Sequence, residues 1–306
     1  MDVELCAWIQ STTGALDVTR AEHIQSLWGG YGEIIRVCLE RADGPSTAIV
    51  KWVKPPPARA LGHSASDAVS HARKCRSYDV ELAFYREVAS RTDDACATPQ
   101  LLGARTRELE WVLLLTDLDA AGYSARHRSP RGNELLACLD WLAAFHARFA
   151  FDAADPGATC SARSDALWST GTYWHLDTRR DELRNIQDVP LRALAEELDR
   201  RLGAARFRTL VHGDAKPANF CFTPDGRRVA ALDFQYAGGG IGPRDVAYLL
   251  HGLPCAAQAI ALNHYFARLR SLLPATLDGD SLEAEWRILH PVAARDFERF
   301  LAGWGR

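Results

Sequence analysis

The sequence predicts an α+β protein of two lobes, a β-rich N-terminal lobe followed by a mainly helical C-terminal one. Three observations carry that expectation. Short runs rich in β-branched and apolar residues, punctuated by Gly and Pro, dominate the chain up to about Thr116. From about Asp117 onward apolar residues recur at helical spacing instead. At 306 residues the chain also exceeds the commonest single core, which holds about 100–150 residues. The division is accordingly expected between residues 1–116 and 117–306.

In order along the chain, His23 to Trp28 and Glu33 to Glu40 read as strands flanking Gly29-Gly30-Tyr31-Gly32. Ala42-Asp43-Gly44-Pro45 marks a turn, and Thr47 to Val53 is a β-branched strand that Pro55-Pro56-Pro57 ends. The Ser/Ala/His-rich stretch that follows, to about Ser77, reads as a mobile insertion, and Asp79 to Ser90 as a helix. Pro99 to Arg105 and Leu109 to Thr116 close the region as two more strands. Beyond them Leu135, Leu139, Leu142, His146 and Phe149 share one helical face. A hairpin of Phe220 to Thr223 and Val229 to Leu232 turns at Pro224-Asp225-Gly226, and helices resume from Asp245.

Composition excludes several function classes. A formal net charge of −3 gives no basic footprint for nucleic acid and no polybasic patch for a membrane surface. No stretch approaches the roughly 18 apolar residues of a membrane span. Met1 to Gln10 carries Asp2 and Glu4 and lacks the build of a secretory signal. Eight scattered cysteines form no C-x-x-C pair, so reduced thiols and a cytoplasmic location are expected. His71 and Cys75 share a helical spacing, but two ligands do not make a zinc site.

The strongest chemical signal is Leu210-Val211-His212-Gly213-Asp214-Ala215-Lys216-Pro217-Ala218-Asn219, followed fourteen residues after Asn219 by Asp233-Phe234-Gln235. The spacing suits phosphoryl transfer for a physical reason. A first carboxylate, Asp214, accepts the proton of an attacking hydroxyl. Asn219 and Asp233 supply hard oxygens for Mg²⁺ bridging the phosphates of ATP. Lys216 places a positive charge where negative charge shifts in the transition state. A polar loop ending in a strand would explain each residue singly, but not their combination.

On these residues the sequence resembles the protein-kinase-like superfamily, in its small-molecule branch of aminoglycoside phosphotransferases, choline kinases and ecdysteroid-kinase-like proteins. H-G-D-x-x-x-x-N matches at His212, Gly213, Asp214 and Asn219, and D-F-Q at Asp233, Phe234 and Gln235. Protein kinases usually carry Arg in place of Gly213 and Gly in place of Gln235. The combination with Arg244-Asp245-Val246-Ala247 looks nearest to the ecdysteroid-kinase-like group, and the resemblance runs from about Leu27 to Leu250.

The resemblance implies a kinase-like fold that uses ATP and Mg²⁺. Ala48-Ile49-Val50-Lys51 is similar to the strand whose lysine grips the α- and β-phosphates. Its carboxylate partner is expected to be Glu81 rather than Glu87, because Glu81 projects within the apolar arc of Val80, Phe84, Tyr85 and Val88. Gly30, Tyr31 and Gly32 lie where such kinases fold a loop over the phosphates, although Ile35 replaces the last glycine of the full pattern. Leu114 to Leu118, with Leu115 and Asp117, would be the lobe connection offering backbone groups to adenine. Asp245 is placed to cap a helix, the resemblance implies that it also braces the catalytic loop, and the two roles are compatible, while His212 is expected to pack the loop.

The stretch between Asp233 and Asp245 is too short for a peptide-docking segment, which argues for a small-molecule hydroxyl as acceptor and against a protein. Trp168, Tyr173 and Trp174 precede the catalytic loop where such kinases elaborate acceptor pockets. They are suited to stacking or to cation–π contact, and equally to an ordinary core. Interspersed Asp177, Arg179, Arg180, Asp181 and Glu182 do not make the acidic pocket of the aminoglycoside enzymes.

Overall fold

The computed structural model describes residues 3–56, 65–155 and 165–304. Its N-terminal lobe is one antiparallel sheet of β1 (Asp17–Ser26), β2 (Gly32–Glu40), β3 (Ser46–Val53), β4 (Leu101–Arg107) and β5 (Glu110–Thr116), in the order β1-β2-β3-β5-β4. Side-chain alternation sorts β3 cleanly. Ala48 and Val50 join Ile35, Val37, Leu39, Val112 and Leu114 on one face, whereas Val53 joins the main core on the other. Lys51 shares the parity of Val53 and so faces the cleft.

Helix α1 (Val3–Thr13) covers the first face, burying Leu5 and Ile9 one turn apart. This helix was not anticipated, since two anchors leave little periodicity to detect. Helix α2 (Ala65–Glu87) covers the second face. The expected start at Asp79 is thus corrected to Ala65, and only residues 57–64 of the supposed insertion lie outside the described residues. The early turns of α2 lack an apolar stripe but are held from outside. Arg73 Nη1 donates to the Thr178 carbonyl, Arg76 Nη2 donates to the Leu167 carbonyl at 3.2 Å, and Tyr31 OH shares a 2.6 Å hydrogen bond with His71 Nδ1. His71 and Cys75 contact one another at 3.6 Å.

The second lobe is built around α3 (Asn133–Phe149), whose Leu139, Leu142, His146 and Phe149 are buried as the spacing predicts, with Leu135 half-buried. Ala137, Cys138, Trp141 and Ala143 are buried too, because α3 is enclosed by neighbours on several sides. A small sheet joins β6 (Phe151–Asp152), β7 (Phe207–Val211) and β10 (Gly238–Gly240), while β8 (Phe220–Phe222) and β9 (Val229–Ala231) form the expected hairpin. The short helices α4 (Arg180–Asn185), α5 (Val189–Ala193) and α6 (Ala195–Gly203) lead into β7. Helices α7 (Gly242–Leu250), α8 (Cys255–Leu272) and α9 (Gly279–Gly303) complete the lobe. Among the described residues no helix is long and apolar enough to cross a membrane.

Candidate active site

Strand β3 and helix α2 bring Lys51 and Glu81 together, with Lys51 Nζ 2.8 Å from Glu81 Oε1 and 2.7 Å from Oε2. The same ammonium donates to Asp233 Oδ1 at 3.0 Å, so the pair reaches across to the second lobe. Lys51 is 5% and Glu81 1% exposed, which makes their pairing obligatory. Burial opposes the Lys51 charge, but Asp233 and Glu81 outweigh it and hold its pKa above the ordinary value. Burial likewise resists ionisation of Asp233, yet Lys51 and Lys216 bring its pKa down to about 2. Glu87, the competing carboxylate, is exposed.

Asp233 sits at φ 68°, a left-handed conformation that a non-glycine residue adopts at a cost. Gln235 secures it. Gln235 Nε2 donates to Asp233 Oδ1 at 2.7 Å, and Gln235 Oε1 accepts from Ser77 Oγ on α2 at 3.1 Å. The D-F-Q run was read as a motif, but this role of its last residue was not foreseen. Phe234 stacks on Phe84 at 3.6 Å between centroids, anchoring α2 from the other side.

The loop that carries Asp214 leaves β7 at His212. Asp245 accepts from the His212 amide at 2.7 Å, from the Gly213 amide at 2.9 Å and from His146 Nε2 at 3.1 Å. Asp245 therefore braces the loop and does not cap α7, which begins at Gly242. His212 is fully buried, receives the Asp214 amide at Nδ1 and donates from Nε2 to the Leu232 carbonyl at 3.1 Å. Burial lowers its pKa, as befits a neutral ring pinning the loop. Gly213 has φ 80°, and a Cβ there would lie 2.0 Å from the Tyr236 carbonyl oxygen. That contact explains why a side chain is missing at this place.

Asp214 is 4% exposed and held by one oxygen only. Its Oδ2 accepts from Lys216 Nζ at 2.7 Å and from Asn219 Nδ2 at 3.0 Å, while among the described residues Oδ1 is buried with no hydrogen-bond partner. Burial raises the Asp214 pKa against the pull of Lys216, and Asp233 adds to the rise. Asn219 Nδ2 also donates to the Asp214 carbonyl at 2.8 Å, which directs its amide oxygen away from the loop. Asn219 Oδ1 and the second oxygen of Asp233 are thus the hard donors available to a divalent cation, and this donor set fits Mg²⁺ shared with phosphates.

The glycine run forms a tight loop between β1 and β2, closed by the Leu27 amide on the Gly32 carbonyl at 2.7 Å. Gly30 has φ 74° and open space beside it, whereas a Cβ on Gly32 would meet the Trp52 carbonyl at 2.0 Å. The Tyr31 ring turns inward instead of out over the loop, being 8% exposed and packed toward His71 and Tyr78. Leu115 is buried in β5, paired with Ile49 and Leu101. The Asp117 carboxylate is committed to Arg36 Nε at 2.7 Å and Thr47 Oγ1 at 2.8 Å. The Asp117 and Leu118 carbonyls accept from the Ala121 and Tyr123 amides, so those two carbonyls serve the turn.

On the other side of Asp214 lies an aromatic wall. Trp168 stacks parallel to Tyr236 at 6.1 Å and donates from Nε1 to the Gln235 carbonyl at 2.8 Å. Tyr173 meets the Tyr236 ring edge-on at 4.9 Å, and the Arg179 guanidinium lies 4.1 Å from the Tyr173 ring centroid. The Tyr248 hydroxyl is directed at the Asp214 carboxylate, and burial together with the charge and hydrogen bonding of that carboxylate raises its pKa. Trp174 is instead a core residue, fully buried with Phe297 and Phe300, and Trp286 is likewise fully buried. Trp304 stays partly exposed against Tyr173. Tyr236, Tyr248 and the guanidinium of Arg179 were not picked out from the sequence, because nothing local marks a contact of this kind.

A family model described as the phosphotransferase enzyme family matches residues 68–299. Among solved structures, a macrolide 2'-phosphotransferase from Brachybacterium faecium aligns with a TM-score of 0.53 at 14% identity, over 99% of this chain and 98% of that one. An ethanolamine kinase from Plasmodium vivax aligns with a TM-score of 0.51 at 11% identity, over 94% of this chain and 77% of that one. At these identities the likeness is one of fold. No curated protein sequence matches the chain.

Proposed function

The chain belongs to the phosphotransferase enzyme family, within the small-molecule branch of the protein-kinase-like superfamily, and we propose that it moves the γ-phosphate of ATP to a hydroxyl of a small molecule. The observation that carries this reading is the asymmetry of Asp214. One oxygen is fastened by Lys216 and Asn219, while the other is buried without a close hydrogen bond among the described residues, and the Tyr248 hydroxyl beside the carboxylate leaves it open to an acceptor hydroxyl. A carboxylate with a raised pKa is a better base than an exposed one, and burial supplies that rise.

In the reaction Asp214 Oδ1 accepts the hydroxyl proton as the acceptor oxygen attacks the γ-phosphorus. The bond to the β,γ-bridging oxygen breaks, and ADP leaves with that electron pair. Lys51, oriented by Glu81, holds the phosphate chain from the first lobe, and Lys216 offers positive charge beside the attacking oxygen. Asn219 and Asp233 would hold Mg²⁺, which when bound neutralises phosphate charge. The loop of Gly30, Tyr31 and Gly32 lies over the phosphates, and backbone groups near Leu115 and Asp117 receive adenine. The same reading puts the domain boundary at 116/117, and the end of β5 at Thr116 supports it.

The aromatic wall disfavours a choline- or ethanolamine-type acceptor on one specific ground. The cation seat over Tyr173 is filled by the protein's own Arg179, and Asp181 and Glu182 are engaged with Arg73 and Arg179. A neutral, ring-bearing alcohol stacks there without competing for that seat. The Arg244-Asp245-Val246-Ala247 run supports an ecdysteroid-kinase-like affinity within the branch.

The test pairs calorimetry of ATP binding with mass spectrometry of acceptors drawn from sterols, aminoglycosides, amino alcohols, sugars and nucleosides. Asp214→Ala and Asp214→Asn are expected to bind ATP like the wild type and to lose transfer by about 10²–10⁴-fold. Full turnover in Asp214→Ala would defeat the assignment.

A further inference from the structure

Lys74 lies on α2 seven residues before Glu81, on the helix face that also carries Ser77 and Tyr78. That face looks into the cleft: Ser77 holds Gln235, Glu81 holds Lys51, and the Tyr78 ring lies 5.9 Å from the Lys51 ammonium. The Lys74 ammonium is 5.4 Å from the Tyr78 ring centroid and 6.0 Å from that of Tyr31, in the glycine loop. Its charge acts on Asp233, and Lys51 and Lys216 act on it in turn. The charges of three lysines therefore act on one carboxylate. Lys51 and Lys216 each have a bonded carboxylate, whereas among the described residues the Lys74 ammonium has no hydrogen-bond or ion-pair partner.

Lys74 is half-buried, and an ammonium partly withdrawn from water without a counter-ion costs free energy that two aromatic faces offset only in part. The missing anion is one the substrate brings. We propose that Lys74 is a nucleotide-binding residue whose partner is the terminal phosphate of ATP; the inference rests on the ATP reading above. Position along α2 selects the terminal phosphate. Two helical turns, about 10 Å of axis, separate Lys74 from Glu81, toward the end where Arg73 and Arg76 reach the acceptor-side carbonyls of Thr178 and Leu167. Lys74 thus stands on the acceptor side of Lys51, beyond the phosphates that Lys51 grips.

The test compares ATP with ADP, each with Mg²⁺, by calorimetry on the full chain, and needs no acceptor. Lys74→Met keeps the stem against Tyr31 and Tyr78 while removing the charge, and Lys74→Arg keeps the charge. Lys74→Met is expected to weaken ATP about ten- to a hundredfold with ADP nearly unaffected, and Lys74→Arg to restore the preference for ATP. An unchanged ATP-to-ADP ratio in Lys74→Met would overturn the inference, whether both affinities fell together or neither moved. Failure of the wild type to bind either nucleotide would overturn the ATP reading and this inference with it.

Discussion

The two sides of Asp214 are held by different physics. Toward the first lobe the side chains are full charges at short range: Lys51 lies within 3.0 Å of both Glu81 and Asp233. On the other side, where the proposed acceptor would lie, the contacts are ring on ring and guanidinium on ring, with Tyr173–Tyr236 at 4.9 Å and Arg179–Tyr173 at 4.1 Å. Paired buried charges fix one geometry, because misplacing either partner strands the other. Aromatic contacts tolerate many offsets, each differing little in energy. A phosphate chain is the same in every ATP, so a rigid arrangement suits it. An acceptor pocket gains from the softer kind, which accommodates exchange of side chains without loss of the fold.

Three substitutions sharpen that contrast. The largest effect is expected from Lys51→Met, which strands Glu81 and Asp233 together. Stability should fall by about 3–5 kcal/mol in chemical denaturation, and turnover by about 10²–10³-fold. Near-wild-type stability would mean that the Lys51–Glu81–Asp233 cluster is not rigid. Gln235→Ala comes next. It releases Asp233 without removing it, so the Mg²⁺ concentration for half-maximal turnover should rise about 10–100-fold, while ATP affinity measured with a chelator stays level. An unaltered Mg²⁺ requirement would show that Lys51 alone positions Asp233. Trp168→Ala is the mildest. Its acceptor KM should rise about three- to tenfold with ATP affinity unchanged, and a loss of ATP affinity would erase the distinction between the two sides.

Legibility followed the same divide. Lys51 facing the cleft follows from period-two alternation within Ala48-Ile49-Val50-Lys51, and Glu81 from its place in the arc of α2. Asp214, Asn219 and Asp233 announce themselves by spacing because a short loop and a hairpin leave few ways to converge. The glycine loop was expected over the phosphates from its place alone, while the inward turn of the Tyr31 ring, its hydroxyl bonded to His71, depends on a partner forty residues away along the chain. The first turns of α2 were missed because Arg73 and Arg76 are held by carbonyls roughly a hundred positions away, a cause that no local window contains. Trp168 and Tyr173 stayed undecided against Trp174 for a related reason. All three are aromatic, and only the path of the chain separates wall from core.

The strand order has a consequence for how the molecule is made. The sheet of β1 to β5 lies within residues 17–116, so its pairings can close while the rest of the chain is still being synthesised. The segment around Trp168 waits longer. The Trp168 amide donates to the Ala237 carbonyl, and the Gly171 amide to the Gly239 carbonyl, so that segment has nowhere to lie until the ribosome has delivered β10. Every interval between those two moments leaves Trp168 and Tyr173 uncovered on a nascent chain, and slow translation between them would lengthen the window for chaperone capture.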